Sequence, residues 1–189
     1  MNRILIGIIL IVSMSCNSEK SQTQNEIARN ATIVSRPLAS NRVINGPLTD
    51  SEPYSIDFHT DELLPNVYEF IINMKLNNGS YYVSPNAKRD FKGKFTIQLD
   101  DTNKLKPIAE LVETPLSVEE YDPHPFVNGT VNWVRVNTKY TQQLQVTTKE
   151  NFQLKGMIQF TIEPRCTLEQ IPIIFKYYNG KMRVELFQC

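Results

Sequence analysis

The sequence predicts an all-β fold, an antiparallel β-sandwich of immunoglobulin-like type that follows a signal peptide and a polar tether. From Tyr54 onward, apolar and polar side chains alternate with a period of two, over about eight or nine short segments, as in strands with one buried face. Eleven prolines, most of them at the ends of these segments, agree with a sandwich. No stretch shows the 3.6-residue period of an amphipathic helix.

Four of the predicted strands lie in the first half of this region. Residues 68–76 alternate strictly and end at an Asn-Asn-Gly turn. Residues 81–83 form a short strand that Pro85 ends, and residues 95–99 alternate until two aspartates follow. Residues 108–113 lie between two prolines. Each segment has strand length and is closed by turn-forming residues.

The second half contains five further predicted strands. Residues 131–136 are apolar on both faces, so we expect both faces to be covered, and residues 144–146 continue the alternation. Residues 154–162 alternate most regularly of all, and residues 171–177 repeat the pattern. An Asn-Gly turn then leads into residues 182–187, which predicts a hairpin at the end of the chain.

The N-terminus predicts export and a lipid anchor. Arg3 precedes an apolar run over residues 4–12, which is shorter than the roughly 20 residues of a membrane-spanning helix. Ser13-Met14-Ser15-Cys16 resembles the bacterial lipobox, in the looser form of Bacteroidetes-like bacteria. The resemblance implies cleavage before Cys16 and lipidation of its thiol. The alternative is a plain signal peptide that Cys16 happens to follow.

Three parts follow from this organisation. Residues 1–15 are the predicted lipoprotein signal peptide, and residues 16–52 are the lipidated cysteine and a flexible tether rich in Ser, Asn, Gln and Thr. Residues 53–189 are the predicted β-sandwich domain. Asn17 replaces the Asp that signals inner-membrane retention in enterobacteria, which favours the outer membrane. The sequence leaves open whether the protein faces the periplasm or the cell surface.

Composition restricts the partners. The chain carries 20 basic and 20 acidic side chains, so no cationic excess is present to neutralise nucleic-acid phosphates. No phosphate-binding glycine loop, nucleophile elbow or zinc-protease motif occurs. We therefore expect no nucleic acid and no cofactor, but a membrane contact through the N-terminal lipid and a protein partner in the cell envelope.

With Cys16 lipidated, Cys166 and Cys189 remain in an oxidising compartment. A disulfide between them would close a loop of about 23 residues and stabilise the fold by roughly 3 kcal/mol. Two alternatives are a pair of free thiols and a redox-active pair, in which both cysteines are the candidate catalytic residues. Their spacing is not Cys-x-x-Cys, so the sequence does not predict a lowered thiol pKa.

Other candidate sites have weaker support. Asp57, His59, Asp61 and Glu62 are metal-ligand types within one short segment, but a second group with defined spacing is missing. A solvated edge strand is the default interpretation, and we predict no metal site. His124, in a proline-containing loop, has the chemistry of a general base, yet no nucleophile can be assigned to it.

Three segments of the C-terminal half resemble the N-terminal, periplasmic, immunoglobulin-like domain of the thiol:disulfide interchange protein DsbD. They are Gly93-Lys94-Phe95-Thr96-Ile97-Gln98-Leu99, Val131-Asn132-Trp133-Val134-Arg135-Val136 and Leu154-Lys155-Gly156-Met157-Ile158-Gln159-Phe160-Thr161-Ile162. The resemblance implies an immunoglobulin-like fold and matches Cys166 to the second active-site cysteine. The first is expected near Thr161 or Ile162, and neither is a thiol. The relay of that family needs two thiols, because the second resolves the mixed disulfide.

These observations favour a lipid-anchored cell-envelope β-sandwich that acts as a non-enzymatic binding or partner module. One alternative is a periplasmic thiol–disulfide exchange domain that uses Cys166 with Cys189. Another is a structural subunit of an envelope complex. The missing first cysteine favours an inherited scaffold over an inherited reaction, so we expect that the protein is not an enzyme.

Overall fold

Alternating apolar residues form thirteen β-strands in the residues that the computed structural model describes, which are 41–43, 52–77 and 79–187. These residues belong to one structural unit, Ser35–Cys189. None of the described segments is a helix that could cross a membrane. The strands are β1 (Asn41–Val43), β2 (Tyr54–Leu64), β3 (Val67–Leu76), β4 (Tyr82–Val83), β5 (Thr96–Leu99), β6 (Leu105–Pro107), β7 (Val112–Thr114), β8 (Glu119–Asp122), β9 (Gly129–Val134), β10 (Thr138–Val146), β11 (Phe152–Ile162), β12 (Thr167–Tyr178) and β13 (Lys181–Leu186).

Two antiparallel sheets form the layers of the sandwich. The first has the order β1-β2-β3-β10-β6, with β7 also paired to β10, and the second has the order β13-β12-β11-β5. A third, three-stranded sheet has the order β4-β9-β8. Tyr81, just before β4, pairs with Glu163 at the end of β11, which joins the small sheet to the second layer. The predicted fold class, an antiparallel β-sandwich of immunoglobulin-like type, is confirmed.

The core lies between the two large sheets and is filled by the residues that the alternation predicts. On β11, the five alternating residues from Leu154 to Ile162 are all buried, and so are Ile171, Ile173 and Phe175 on β12. Gly156 has no side chain because a Cβ there would lie 2.7 Å from the carbonyl oxygen of Gln98 on β5. The close approach of β5 and β11 therefore requires glycine at this position.

Two local expectations differ from the structure. Residues 108–113 do not form one strand, since β6 and β7 pair with different parts of β10, at Leu144 and at Thr141 respectively. The segment that contains Asp57 is not an edge strand, because β1 pairs with β2 and places Arg42 opposite Asp57. β1 itself falls within residues 16–52, the range of the predicted tether. β1 pairs with residues of β2 that are distant in the sequence, so the local pattern of residues does not predict this strand.

Candidate functional site

Cys166 occupies the tight turn that connects β11 to β12. Ile162 and Thr167 form the last pair of the two strands, so residues 163–166 close the hairpin. The backbone φ of Cys166 is 52°, in the left-handed region that is uncommon for residues other than glycine. Its thiol is exposed and donates a hydrogen bond to the Oε2 atom of Glu163, at 3.1 Å. The turn therefore presents the sulfur to solvent beside a carboxylate.

This carboxylate opposes thiolate formation at Cys166. The hydrogen bond to Glu163 and the charge of Glu163 both raise the pKa of the Cys166 thiol, because they favour the protonated form. Cysteines that exchange disulfides have the opposite arrangement, with a cation or a helix N-terminus that lowers the pKa. The geometry of the turn thus suits an inert thiol better than an attacking one.

We expect Glu163→Gln to speed the alkylation of Cys166 by iodoacetamide at neutral pH, because only the thiolate reacts. Removal of the charge lowers the pKa of the thiol, so the profile of alkylation rate against pH should move to lower pH. Mass spectrometry of the peptide that contains Cys166 measures the rate. Glu150→Gln, at an exposed position outside the turn, is the matched control. Identical profiles for the two variants would show that Glu163 does not control the thiol.

Cys16 and Cys189 lie outside the described residues, so lipidation and the Cys166–Cys189 disulfide stay predictions. The β12–β13 register adds a condition to the disulfide. The amide of Phe187 donates to the carbonyl of Pro172 at 2.9 Å, and about 16 Å of strand separates Pro172 from Thr167. Two further residues span roughly 7 Å and a disulfide joins Cα atoms roughly 7 Å apart at most. Closing the bridge within one chain would therefore require the end of β13 to separate from Pro172.

The positions expected for the first cysteine of the DsbD family have structural roles. Ile162 is completely buried in the core. Thr161 lies on the outer face of β11, where its amide donates to the carbonyl of Gly93 at 2.8 Å. A Cβ on Gly93 would lie 2.2 Å from the hydroxyl of Thr161, so the two residues fit closely. Neither position supplies a second thiol to Cys166.

Two aromatic rings and a guanidinium group lie next to this turn. Tyr81 and Glu163 exchange two backbone hydrogen bonds, at 3.1 and 2.8 Å. The ring of Tyr81 meets Trp133 edge to face, with centroids 4.9 Å apart. The guanidinium of Arg135 lies 4.4 Å from the centroid of Tyr81 and ion-pairs with Glu120 at 2.9 Å. We call Tyr81, Trp133, Arg135, Glu120 and Asp122 the Trp133 surface.

Asp122 completes the Trp133 surface from β8. Its Oδ2 atom accepts a hydrogen bond from Nε1 of Trp133 at 3.0 Å, so the indole is fixed by a side chain on the neighbouring strand. Trp133 is half-buried and packs against a small cluster formed by Val83, Ala87 and Val131, apart from the main core. The surface therefore offers rigid aromatic groups and one arginine, the residue types that dominate protein interfaces.

Exposed apolar side chains concentrate around β8. Among the described residues, eleven large apolar side chains are exposed, and five of them lie between residues 112 and 126. Their exposed fractions are 53% at Val112, 67% at Leu116, 81% at Val118, 65% at Tyr121 and 90% at Phe126. We call these five residues the β8 patch. Within the described strands, β8 pairs only with β9, so its other backbone edge is free.

Three members of the polar segment at residues 57–62 contact protein side chains. Asp57 accepts a hydrogen bond from Asn73 at 2.8 Å, and His59 lies 3.7 Å from Asp61. Across the described residues, no three His, Cys, Asp or Glu side chains are placed to hold a metal ion. His124 is exposed, and its ring lies 5.4 Å from that of Phe126.

Sequence reasoning missed Glu113, which is almost completely buried at 5% exposure. Its Oε2 atom accepts hydrogen bonds from the hydroxyl of Ser84 at 2.6 Å and from that of Tyr140 at 3.3 Å. Its Oε1 atom accepts the amide of Ser117 at 2.7 Å. Tyr81, Arg135 and Glu163 were also missed. Only Arg135 had a sequence signal, since it lies two residues after Trp133 and thus on the same strand face.

Comparisons with known proteins agree with this fold without assigning an activity. No protein-family model and no curated protein matches the sequence. Among solved structures, the chain is similar to the reduced N-terminal domain of DsbD from Neisseria meningitidis, with a TM-score of 0.40, 8% identity and coverage of 71% of this chain and 92% of that chain.

A complex between the N-terminal domains of DsbD and PilB from the same organism gives a TM-score of 0.41 and 11% identity, over 76% of this chain and 94% of that chain. The GAE domain of GGA2p from Saccharomyces cerevisiae gives 0.38 and 12%, over 75% and 99%. At these scores the likenesses carry no argument about activity or partners. The N-terminal domain of DsbD, which three segments of the sequence resemble, is thus also among the solved structures that are similar to this chain.

Proposed function

We propose that this protein is a non-enzymatic binding module of the cell envelope, anchored by lipid at Cys16 in the outer membrane, that takes a protein partner at the β8 patch. The observation that carries the proposal is the concentration of exposed apolar side chains at Val112, Leu116, Val118, Tyr121 and Phe126. Exposed apolar side chains concentrated in one short stretch of the chain, between polar residues, are typical of protein-binding sites.

The free edge of β8 supports the same surface. An unpaired strand edge is a template for another strand, and backbone hydrogen bonds then add affinity while side chains add specificity. Glu119 and Glu120 lie on this strand and form ion pairs with Lys88 and Arg135. Charges on an exposed edge protect it from unspecific pairing, so we expect a partner that complements them.

The alternative functions have less support from the geometry. Thiol–disulfide exchange would use Cys166, whose pKa is raised by Glu163, and Cys189 as the second thiol. Pairing of these two thiols would require Phe187 to separate from Pro172. A structural subunit of an envelope complex would use the β8 patch as well, but through a contact that persists during purification. The lifetime of the complex therefore distinguishes a structural subunit from the proposed binding module.

Site-specific photo-crosslinking in the producing cell tests the proposal. We expect that a photoreactive phenylalanine analogue at Phe126 gives a discrete adduct with one envelope protein. The matched control is the same analogue at Leu64, the last residue of β2, which is 64% exposed. We expect no adduct from this position. Val118→Asp should reduce the adduct at Phe126 at least about tenfold, because a charge at the centre of an apolar interface must be desolvated.

Two results would contradict the proposal. The first is an equal pattern of adducts from Phe126 and Leu64, which would indicate random encounter. The second is an adduct at Phe126 that survives Val118→Asp unchanged, because the partner would then not contact the β8 patch. Circular dichroism of Val118→Asp checks that the fold is retained, as the high exposure of Val118 leads us to expect.

A further inference from the structure

The outer face of the β12–β13 hairpin is basic. Lys176 lies directly opposite Arg183, and Tyr178 lies opposite Lys181. These four residues line an open groove together with Asn179 and Glu185. Like charges directly opposite each other on one sheet face are destabilising, so the cations at this groove favour a bound anion.

Only part of this positive charge is neutralised within the described part of the chain. Lys176 forms an ion pair with Glu185. Lys181 and Arg183 are exposed, and no acidic side chain among the described residues pairs with either. We call Lys176, Lys181 and Arg183 the basic face.

The opposite layer carries acidic side chains on part of its outer face. Asp57, Asp61 and Glu69 lie on the outer face of β2 and β3, since the residues between them are buried in the core. Lys75 and Lys139 lie on the same outer face and partly balance these carboxylates. On the basic face, by contrast, Lys181 and Arg183 have no acidic partner among the described residues. A charged surface would orient such a domain.

The N-terminal segment joins the fold close to the basic face. Asn41 lies opposite Phe58 on β2, and the hydroxyl of Thr60, two residues further along β2, donates to the carbonyl of Met182 on β13 at 3.0 Å. The sequence predicts a flexible tether between Cys16 and Asn41, and a tether of this length would span roughly 25–30 Å. A lipid at Cys16 would thus hold β13 within about one domain diameter of the bilayer.

We propose that the basic face docks onto the anionic lipid headgroups of the membrane that holds the lipid anchor. This inference rests on the anchor of the proposed function and adds an orientation to it. With the basic face on the membrane, the domain is held against the bilayer by the β12–β13 hairpin as well as by the lipid. Each basic residue near an anionic membrane strengthens binding about fivefold, and the effect weakens with salt.

Lysine acetylation on the full-length lipidated chain tests the proposal. The protein is reconstituted into vesicles of phosphatidylcholine alone, or with about 30 mol % phosphatidylglycerol, and a limiting dose of acetylating reagent is followed by peptide mass spectrometry. We expect acetylation of Lys181 to slow at least about threefold in the anionic vesicles and to recover in about 0.5 M salt. Lys139, exposed on the outer face of β10 in the other layer, is the internal control and should not change.

A paired variant measures the contribution of the basic face. In the double variant Lys181→Gln with Arg183→Gln, anionic vesicles should no longer slow the acetylation of Lys176. In Lys139→Gln, anionic vesicles should slow it as they do in the unmodified protein. Equal slowing at Lys181 and Lys139, or slowing that neutral vesicles reproduce, would overturn the docking. Flotation tests the anchor separately, because the lipidated chain should float with neutral vesicles. A chain that floats without protection of Lys181 refutes the docking alone, and a chain that does not float refutes the anchor.

Discussion

Replacing Phe95 with alanine is expected to lower the free energy of unfolding by about 4 kcal/mol. Phe95 is completely buried, immediately before β5. Its ring stacks on Tyr140 of the first sheet, with centroids 4.3 Å apart, and on Phe160 of the second sheet, at 5.8 Å. Because Phe95 connects the two layers, its removal leaves a cavity that neither sheet can fill without moving.

Equilibrium urea unfolding, followed by the fluorescence of Trp133, measures this effect. Trp133 is the only tryptophan of the chain and lies in the small cluster, outside the ring contacts of Phe95, so its fluorescence reports the unfolding of the domain. Phe126→Ala is the control, because a side chain that is 90% exposed should change stability by less than about 0.5 kcal/mol. Similar losses for both variants would mean that Phe95 does not hold the two sheets together.

The strand periodicity made the core predictable. A strand turns successive side chains to opposite faces, so the alternation at Leu154, Ile158 and Phe160 alone determines which face is buried. The same rule predicted the buried face of β3 and of β12, and the structure confirms both. Pattern reasoning succeeded there because the information is local to each strand.

The candidate site could not be derived in this way, because it depends on how distant strands pair. Tyr81 lies beside Glu163 only because the small sheet joins the end of β11. The free edge of β8 follows from the sheet order β4-β9-β8, which no local pattern encodes. Exposure of Val118 and Phe126 also depends on which strands cover them. Lipidation of Cys16 and the disulfide at Cys189 concern residues outside the described part and stay predictions.

Glu113 is the clearest case of a residue whose role is set by tertiary structure. Its partner Ser84 is 29 positions away and its partner Tyr140 is 27 positions away. Burial raises the pKa of the hydroxyl groups of Tyr82 and Tyr140, so both stay protonated and available as donors. The hydroxyl oxygens of Tyr82 and Tyr140 are 2.9 Å apart, and with Tyr140 donating to Glu113, Tyr82 donates to Tyr140. The chain of hydrogen bonds thus ends on a buried carboxylate.

We expect Glu113→Ala to lower the free energy of unfolding by about 3 kcal/mol or more. The substitution leaves the hydroxyls of Ser84 and Tyr140 and the amide of Ser117 without their acceptor, inside a site that excludes water. Glu113→Gln keeps the shape and one acceptor oxygen, so we expect it to lose about half as much. Urea unfolding of both variants measures the order of the two effects.

Glu119→Ala separates the effect of burial from the effect of charge. Glu119 also forms an ion pair, with Lys88 at 3.0 Å, but both side chains are solvent-exposed. Exposed pairs contribute less than about 1 kcal/mol, so this control should cost little. A loss at Glu113 no larger than that at Glu119 would contradict the role of the buried network. A large loss in Glu113→Ala that the additional change Ser84→Ala partly relieves would support it, because the second change removes one of the unpaired donors.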